Sequence, residues 1–449
     1  LSSEANPYFL FPQIYNFRYN IFSSEWPVAN RVIELYLQKK SENGGWERQI
    51  NGISNNEKAV LLLEKRTFKE LLVDMELRNL QNNIVGQEAS RLFARAEINM
   101  GVEAFRDSLY SLLKRNTFLN IKFENMLDTL GEISRTDIRS LLGEWEKTTP
   151  LPFYSLGEPT LTKITNKGGE EFFVLKMLIS NNSDYDGIIH MDIRKDGWWY
   201  QPLEDPRAKT KIEMPAHTSK EFVSVWEDQI CNVEINTMVS GNLPNIISQD
   251  INNVKQERNK IVKDSIYILP ESSFDLPGEI IVDNEDSTLF ILSAPPIVGL
   301  LPKWLDEVEE TPFKYSGISW WRPPLQWTAT TNDRYYGKYI RSAFVIKSGD
   351  GSQTATWKVP VPEVGQYDLY YHVFKDDELR WNNNLQGEYH FKVKYGSEVE
   401  DAYVNLRKAN EGWEQLGSYY FDSDTVRVVL TDECKLRSVT ADAVKIVKR

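Results

Sequence analysis

The spacing of apolar residues changes period at Pro150-Leu151-Pro152, and that change constrains the fold more than any other feature of the chain. Upstream, Val102, Phe105, Leu109, Leu112 and Leu113 form one helical stripe. Ile121, Met126, Leu127 and Leu130 form a second, and Ile138, Leu141, Leu142 and Trp145 a third. Residues three and four apart share one face of a helix, so each stripe predicts a helix with a buried side. The pattern runs from about Ser24 to Glu146 and stops at the two prolines, which cannot continue a helix. Ser134, three residues before Asp137, reads as a helix-capping signal with the carboxylate near the positive end of the dipole.

Beyond Thr160 the period becomes that of strands. Phe172 to Ile179, Gly187 to Arg194, Lys211 to Met214, Phe222 to Trp226 and Val233 to Ile235 are separated by turn clusters such as Asn181-Asn182-Ser183-Asp184 and Lys195-Asp196-Gly197. Strands so short and so regularly spaced predict an immunoglobulin-like sandwich of about 90 residues. Asn253 to Asp264, NVKQERNKIVKD, reads as a charged linker or short helix, with a domain boundary near 265 to 275. The expected organisation is multidomain α+β: an α-helical domain over 1-153, an Ig-like β-sandwich over 154-250, a linker over 251-275 and a jelly-roll-like β-sandwich over 276-449. A chain of 449 residues with 41% apolar and 26% charged residues has material for several cores.

Lys and Arg total 52 against 65 Asp and Glu, a net charge of −13, which argues against nucleic acid or an anionic membrane as partner. The longest apolar run, Leu289 to Leu301, is broken by Pro295-Pro296 and falls short of the roughly 20 residues of a membrane helix. Cys231 and Cys434 are far apart and predict two thiols rather than a disulfide. A start at Leu1 fits a processed or shortened chain, so compartment is not legible from a leader.

The stretch Tyr8 to Leu37, YFLFPQIYNFRYNIFSSEWPVANRVIELYL, resembles in spacing the zinc motif of gluzincin peptidases of the aminopeptidase N type. That motif is HExxH with a third ligand, Glu, after eighteen more residues. One helix turn sets the imidazoles on one face, the distant carboxylate completes the tetrahedron, and the Glu beside the first His is the general base. With Gln13 aligned to the Gln after the second His, the window falls on Tyr8-Phe9-Leu10-Phe11-Pro12, and Arg31 takes the third ligand's place before Val32 to Leu37. Ala89 to Phe93, Met100 to Phe105, and Leu141 to Pro152 resemble the helical half of the same catalytic domain. There Val85 stands where the family has a Tyr that stabilises the tetrahedral intermediate. The resemblance implies a degenerate site at Tyr8, Phe9, Pro12, Arg31 and Val85. Read without it, the stretch is an aromatic segment followed by an amphipathic helix that buries Val32, Ile33, Tyr36 and Leu37. Both readings deny catalysis to it.

Near the C-terminus, Ile281 to Asp286, Ala355 to Pro360, Gly365 to Tyr370, Trp413 to Tyr419 and Val439 to Val444 resemble, in order and spacing, the golvesin C-terminal or xanthan-lyase-type β domain. Alternating strands at Thr354 to Val359, Tyr367 to Val373, Tyr389 to Lys394 and Val426 to Leu430 agree with a jelly-roll sandwich. The resemblance implies association with carbohydrate outside the cytoplasm, periplasmic or at the cell surface. Sugars are recognised by flat aromatic faces together with amides and carboxylates. On that ground Trp320, Trp321 and Tyr335, and the loop residues Trp381, Asn382 and Asn383, are the candidate glycan ligands, whereas Trp357 and Trp413 read as core. The acidic turns Asp283 to Asp286 and Asp422 to Asp424 read as solvated turns rather than calcium loops. His190, His217, His372 and His390 have no metal-ligand spacing, so neither metal nor cofactor is expected. The combined expectation is a non-catalytic multidomain binding protein with a glycan or a protein as partner. The alternatives are the C-terminal part of an active zinc metallopeptidase whose metal site lies upstream, or a protein-protein scaffold.

Overall fold

The computed structural model describes residues 19–38, 45–195, 201–251, 253–258, 262–269, 278–293, 313–318, 322–375 and 387–449. The chain is a multidomain α+β protein of two compact units, one formed by Leu1–Gly44 and Asn55–Ser272, the other by Gly45–Ser54 and Ser273–Arg449. Among the described residues the helices are α1 (Ala29–Leu37), α2 (Gly45–Asn51), α3 (Asn55–Lys65), α4 (Phe68–Leu72), α5 (Gln81–Met100), α6 (Val102–Arg115) and α7 (Phe123–Ser134). All but α2 belong to the first unit.

The long α5 is the axis on which α1, α3, α4, α6 and α7 pack. The apolar stripes account for this: Phe105, Leu109, Leu112 and Leu113 of α6 and Met126, Leu127 and Leu130 of α7 are all buried in one core. Trp145 closes it, with ring centroids 5.0 Å from Trp26 and 4.9 Å from Phe68 in edge-on contact. The third stripe winds as a 3-10 helix, Arg139–Glu146. Ser134 is not an N-cap. It is the last residue of α7, its hydroxyl donates back to Leu130 O at 2.8 Å, and Arg135 leaves the helix in the left-handed region at φ 56°. Asp137 Oδ1 accepts from Ser140 N at 3.1 Å just ahead of that 3-10 helix, whose N-cap, Ile138, has no side-chain cap.

The same unit continues into two antiparallel-rich sheets that bury Leu161, Leu175, Met177, Met191, Ile193, Trp226 and Val233 between them. Residues 251-275 are not merely a linker. Val254–Arg258 pairs in parallel with Thr160–Thr165, and Ser265–Leu269 pairs antiparallel with Thr218–Trp226, one at each end of the sheet. The charges of Lys255, Glu257 and Arg258 line an edge strand, where they discourage pairing with a foreign strand.

The second unit has a four-stranded sheet (Glu279–Val282, Val444–Lys448, Gly365–Val373, Gly412–Phe421) and a five-stranded one (Phe290–Leu292, Thr354–Pro360, Thr425–Thr431, Glu388–Tyr395, Glu398–Asn405). Their inward faces share one core containing Trp357, Leu369, Tyr371, Phe391, Val428 and Val444, so the pair is a β-sandwich. The segment Gly45–Ser54 joins this unit although it lies between α1 and α3 in sequence. Glycines permit the close approach: a Cβ on Gly317 would fall 1.8 Å from Ile50 O, and one on Gly52, whose φ is +79°, would fall 2.4 Å from Ser316 C. The Thr331 hydroxyl donates to Gly52 O at 2.6 Å.

Candidate functional site

Of the peptidase-like positions, Tyr8, Phe9 and Pro12 lie outside the described residues. Arg31 is buried on α1, where Nη1 meets Glu34 Oε2 at 2.9 Å and Nε and Nη2 donate to Asn82 Oδ1 at 3.2 and 3.1 Å. Asn82 opens α5 one turn ahead of Val85, and Val85 is itself a core residue at 3% exposure. Arg31 and Val85 are thus on packed neighbouring helices, and both serve the interior. A recess nearby is lined by Asn56, Gln87, Ser90, Asn236, Met238, Asn245 and Ile246, which are amides, one hydroxyl and apolar groups. Among the described residues no group of three or more His, Cys, Asp and Glu is arranged for a metal ion.

Of the glycan candidates, Trp320, Trp321, Trp381, Asn382 and Asn383 lie outside the described residues. Tyr335 is buried at 6% exposure with its ring 4.6 Å from Phe374, so it packs rather than presents a face. Trp413 differs from its expected place in the core and is half-buried on the outer face of the four-stranded sheet.

Strand alternation builds that face. Along Gly365–Val373, Tyr367, Leu369, Tyr371 and Val373 point inward, which turns Asp368, Tyr370 and His372 outward. Pairing sets His372 opposite Trp413 and Tyr370 opposite Lys445. The Trp413 centroid lies 5.0 Å from Tyr336 and 5.2 Å from His372, at interplanar angles of 59° and 78°. Lys445 Nζ sits 4.9 Å from the Trp413 centroid and 5.3 Å from that of Tyr370, and pairs with Glu279 Oε1 at 2.9 Å.

Beneath the rings Asp442 is fully enclosed. It accepts from Tyr336 N at 3.2 and 3.1 Å and meets His372 Nδ1 at 2.9 Å. Its own carbonyl accepts from Trp357 Nε1 at 3.2 Å, tying the loop to the core. Burial pushes the Asp442 carboxyl above the usual carboxylate range, with His372 pulling the other way. Burial and the Asp442 charge also raise nearby Asp283. The acidic turn at Asp283 to Asp286 is occupied by its own contacts: Glu285 with Lys314, Tyr315 and Ser342, and Asp286 with Thr288 and the Leu289 N–H. The arrangement holds a carboxylate and an imidazole in a fixed order under part-exposed rings, which suits binding. The signal for it was the alternation of Gly365–Val373, which puts Tyr370 and His372 opposite the core residues.

This outer face belongs to a β-sandwich, and residues 323–448, which carry every side chain of the patch except Glu279, match the family described as the golvesin C-terminal domain. No curated protein matches the chain. Among solved structures, a Bacteroides uniformis beta-glucuronidase is 11% identical over 70% of this chain and 32% of that one, with a TM-score of 0.20. B. uniformis beta-glucuronidase 2, covalently bound to cyclophellitol-6-carboxylate aziridine, is 12% identical over 77% and 38%, at 0.19. A calcium-binding mutant of beta-glucuronidase 2 is 10% identical over 70% and 33%, at 0.17. The chain therefore spans 32% to 38% of the length of these structures, and overlaps this low say nothing about its own chemistry. The peptidase-like reading of the helical half draws no support from these comparisons.

Proposed function

We propose that the chain is a carbohydrate-associated, non-catalytic binding protein that works outside the cytoplasm, with the C-terminal sandwich as the glycan-binding module. The observation that carries this reading is the aromatic patch of Tyr336, Trp413 and Tyr370 on an open sheet face inside the golvesin-matching residues. Rings of this kind take the C–H face of a pyranose. In this reading the immunoglobulin-like sandwich is a spacer and the helical half a rigid base, a peptidase-like fold without its chemistry. Arg31, locked between Glu34 and Asn82, is compatible with that role. Screening the intact chain on a glycan array tests the proposal: at least one polysaccharide or oligosaccharide class is expected to bind. Absence of binding to every glycan overturns the module's role, and stoichiometric zinc with aminopeptidase turnover overturns the non-catalytic one.

A further inference from the structure

We propose that His372, Trp413 and Tyr336 form the sugar-contacting subsite itself and that it takes a neutral glycosyl residue rather than a uronate or sulfated one; this rests on the glycan-binding reading above. Asp442 holds Nδ1 of His372, so the ring is fixed in one orientation and the opposite nitrogen, Nε2, is presented away from the core. Among the described residues that Nε2 has no hydrogen-bond partner, and the side chain is only 13% exposed. Nε2 is not one of the enclosed polar atoms that lack a partner, so it reaches solvent, where water or a ligand hydroxyl can meet it. Trp413 and Tyr336 stand tilted around it, giving a corner in which an apolar sugar face meets a ring while a hydroxyl reaches Nε2.

Charge selects the ligand class. One cation in the patch, Lys445, lies between the Trp413 and Tyr370 rings and is paired with Glu279; a second, Arg341, donates to Asp333 O and acts on the buried Asp442, which faces His372. Arg334, at the neighbouring edge, is engaged by Glu411 and by Lys375 O. An anionic sugar entering this patch would be desolvated against cations already matched by carboxylates, and a neutral sugar avoids that cost.

The test is calorimetric titration of the intact chain with matched neutral and uronate-containing or sulfated oligosaccharides of the class found on the array. Neutral ligands are expected to bind more tightly than their charged counterparts. His372→Ala and Trp413→Ala are each expected to weaken binding by about tenfold or more, the size of one lost hydrogen bond or ring contact. His372→Gln, whose amide can occupy the place of Nε2, is expected to recover most of the affinity and guards against a folding defect. Tryptophan fluorescence that shifts with sugar in the wild type and not in Trp413→Phe would place the ligand at this ring. Wild-type affinity in both alanine variants, or preference for the charged sugar, overturns the subsite while leaving glycan binding intact. Failure of the wild type to bind any glycan overturns both.

Discussion

The helical half of the first unit encloses Glu34, Glu57, Glu88, Glu97 and Glu124, and the second unit encloses Asp432, which accepts from Gln353 N at 3.3 Å, and Asp442; Asp442 is used to a different end from the rest. In the first, each carboxylate joins one structural element to another or steadies a neighbour. Glu57 accepts from Asn245 N at 2.9 Å, linking α3 to the β-sandwich of that unit. Glu97 on α5 takes the Tyr36 hydroxyl at 2.8 Å and the Lys211 ammonium from the strand Lys209–Met214. Arg31 and Glu34 belong to the same scheme. In the second, Asp442 orients groups whose other sides face outward. The difference teaches that a buried charge alone does not mark a functional site; what it aims at does.

The largest expected effect that would break this comparison is at Lys211. Lys211→Ala leaves Glu97, whose side chain is 2% exposed, without its cation, and is expected to cost about 3–5 kcal/mol in urea unfolding of the first unit. Glu97→Gln with Lys211→Met is expected to cost far less, because no bare charge remains. A single-variant loss below about 1 kcal/mol would mean that the pair is not a joint.

A second effect separates the units by pH. Burial, with Lys211 adding to it, pushes His190 down to about 4 from its ordinary 6.5. A depressed histidine contributes stability above its unfolded value and loses it as pH falls toward the folded one, so between pH 6.5 and 4 the first unit should lose up to about 3 kcal/mol. Asp283 and Asp442 are shifted upward, so their contribution is fully present at low pH and lost as pH rises. His190→Gln should flatten the acid-side slope of the first unfolding transition and leave the second unchanged; an unaltered slope would show that His190 does not carry it.

The smallest stability effect is expected at Asp442. Asp442→Asn removes a desolvated charge and leaves His372 a neutral, weaker acceptor, so unfolding should change by no more than about 1 kcal/mol while sugar affinity falls by up to about tenfold. A loss of several kcal/mol would place Asp442 among the joints of the first unit and erase the contrast.

Much of the framework was legible in the order of residues. The change of period at Pro150 and Pro152, the stripes of α6 and α7, and the strands around Phe173, Met191 and Tyr371 depend on local alternation, which the chain displays directly. What escaped depends on context. The strand Val254–Arg258 looked like a connector because its side chains are mostly exposed and its pairing is supplied by one neighbour at a sheet edge. Ser134 looked like a start and is an end, because the exit at Arg135 is a backbone event. Trp413 looked like core by its motif; the register opposite His372 turns it outward. The spacing that pointed to Arg31 and Val85 is equally that of two helices packing, and the structure uses it so.

The piece of chain from Gly45 to Ser54, seated against Gly317 and Thr331, has a consequence for where the chain can be cut. The second unit is assembled from two stretches far apart in sequence, although the residues that match the golvesin C-terminal family, 323–448, lie in one of them. A fragment beginning at residue 273 would carry the sandwich without the Gly45–Ser54 segment, uncovering the backbone at Ser316 and Gly317 against which Gly52 and Ile50 lie. Cutting the chain between residues 272 and 273 therefore does not separate the two units cleanly, because the second keeps one of its helices upstream of that cut.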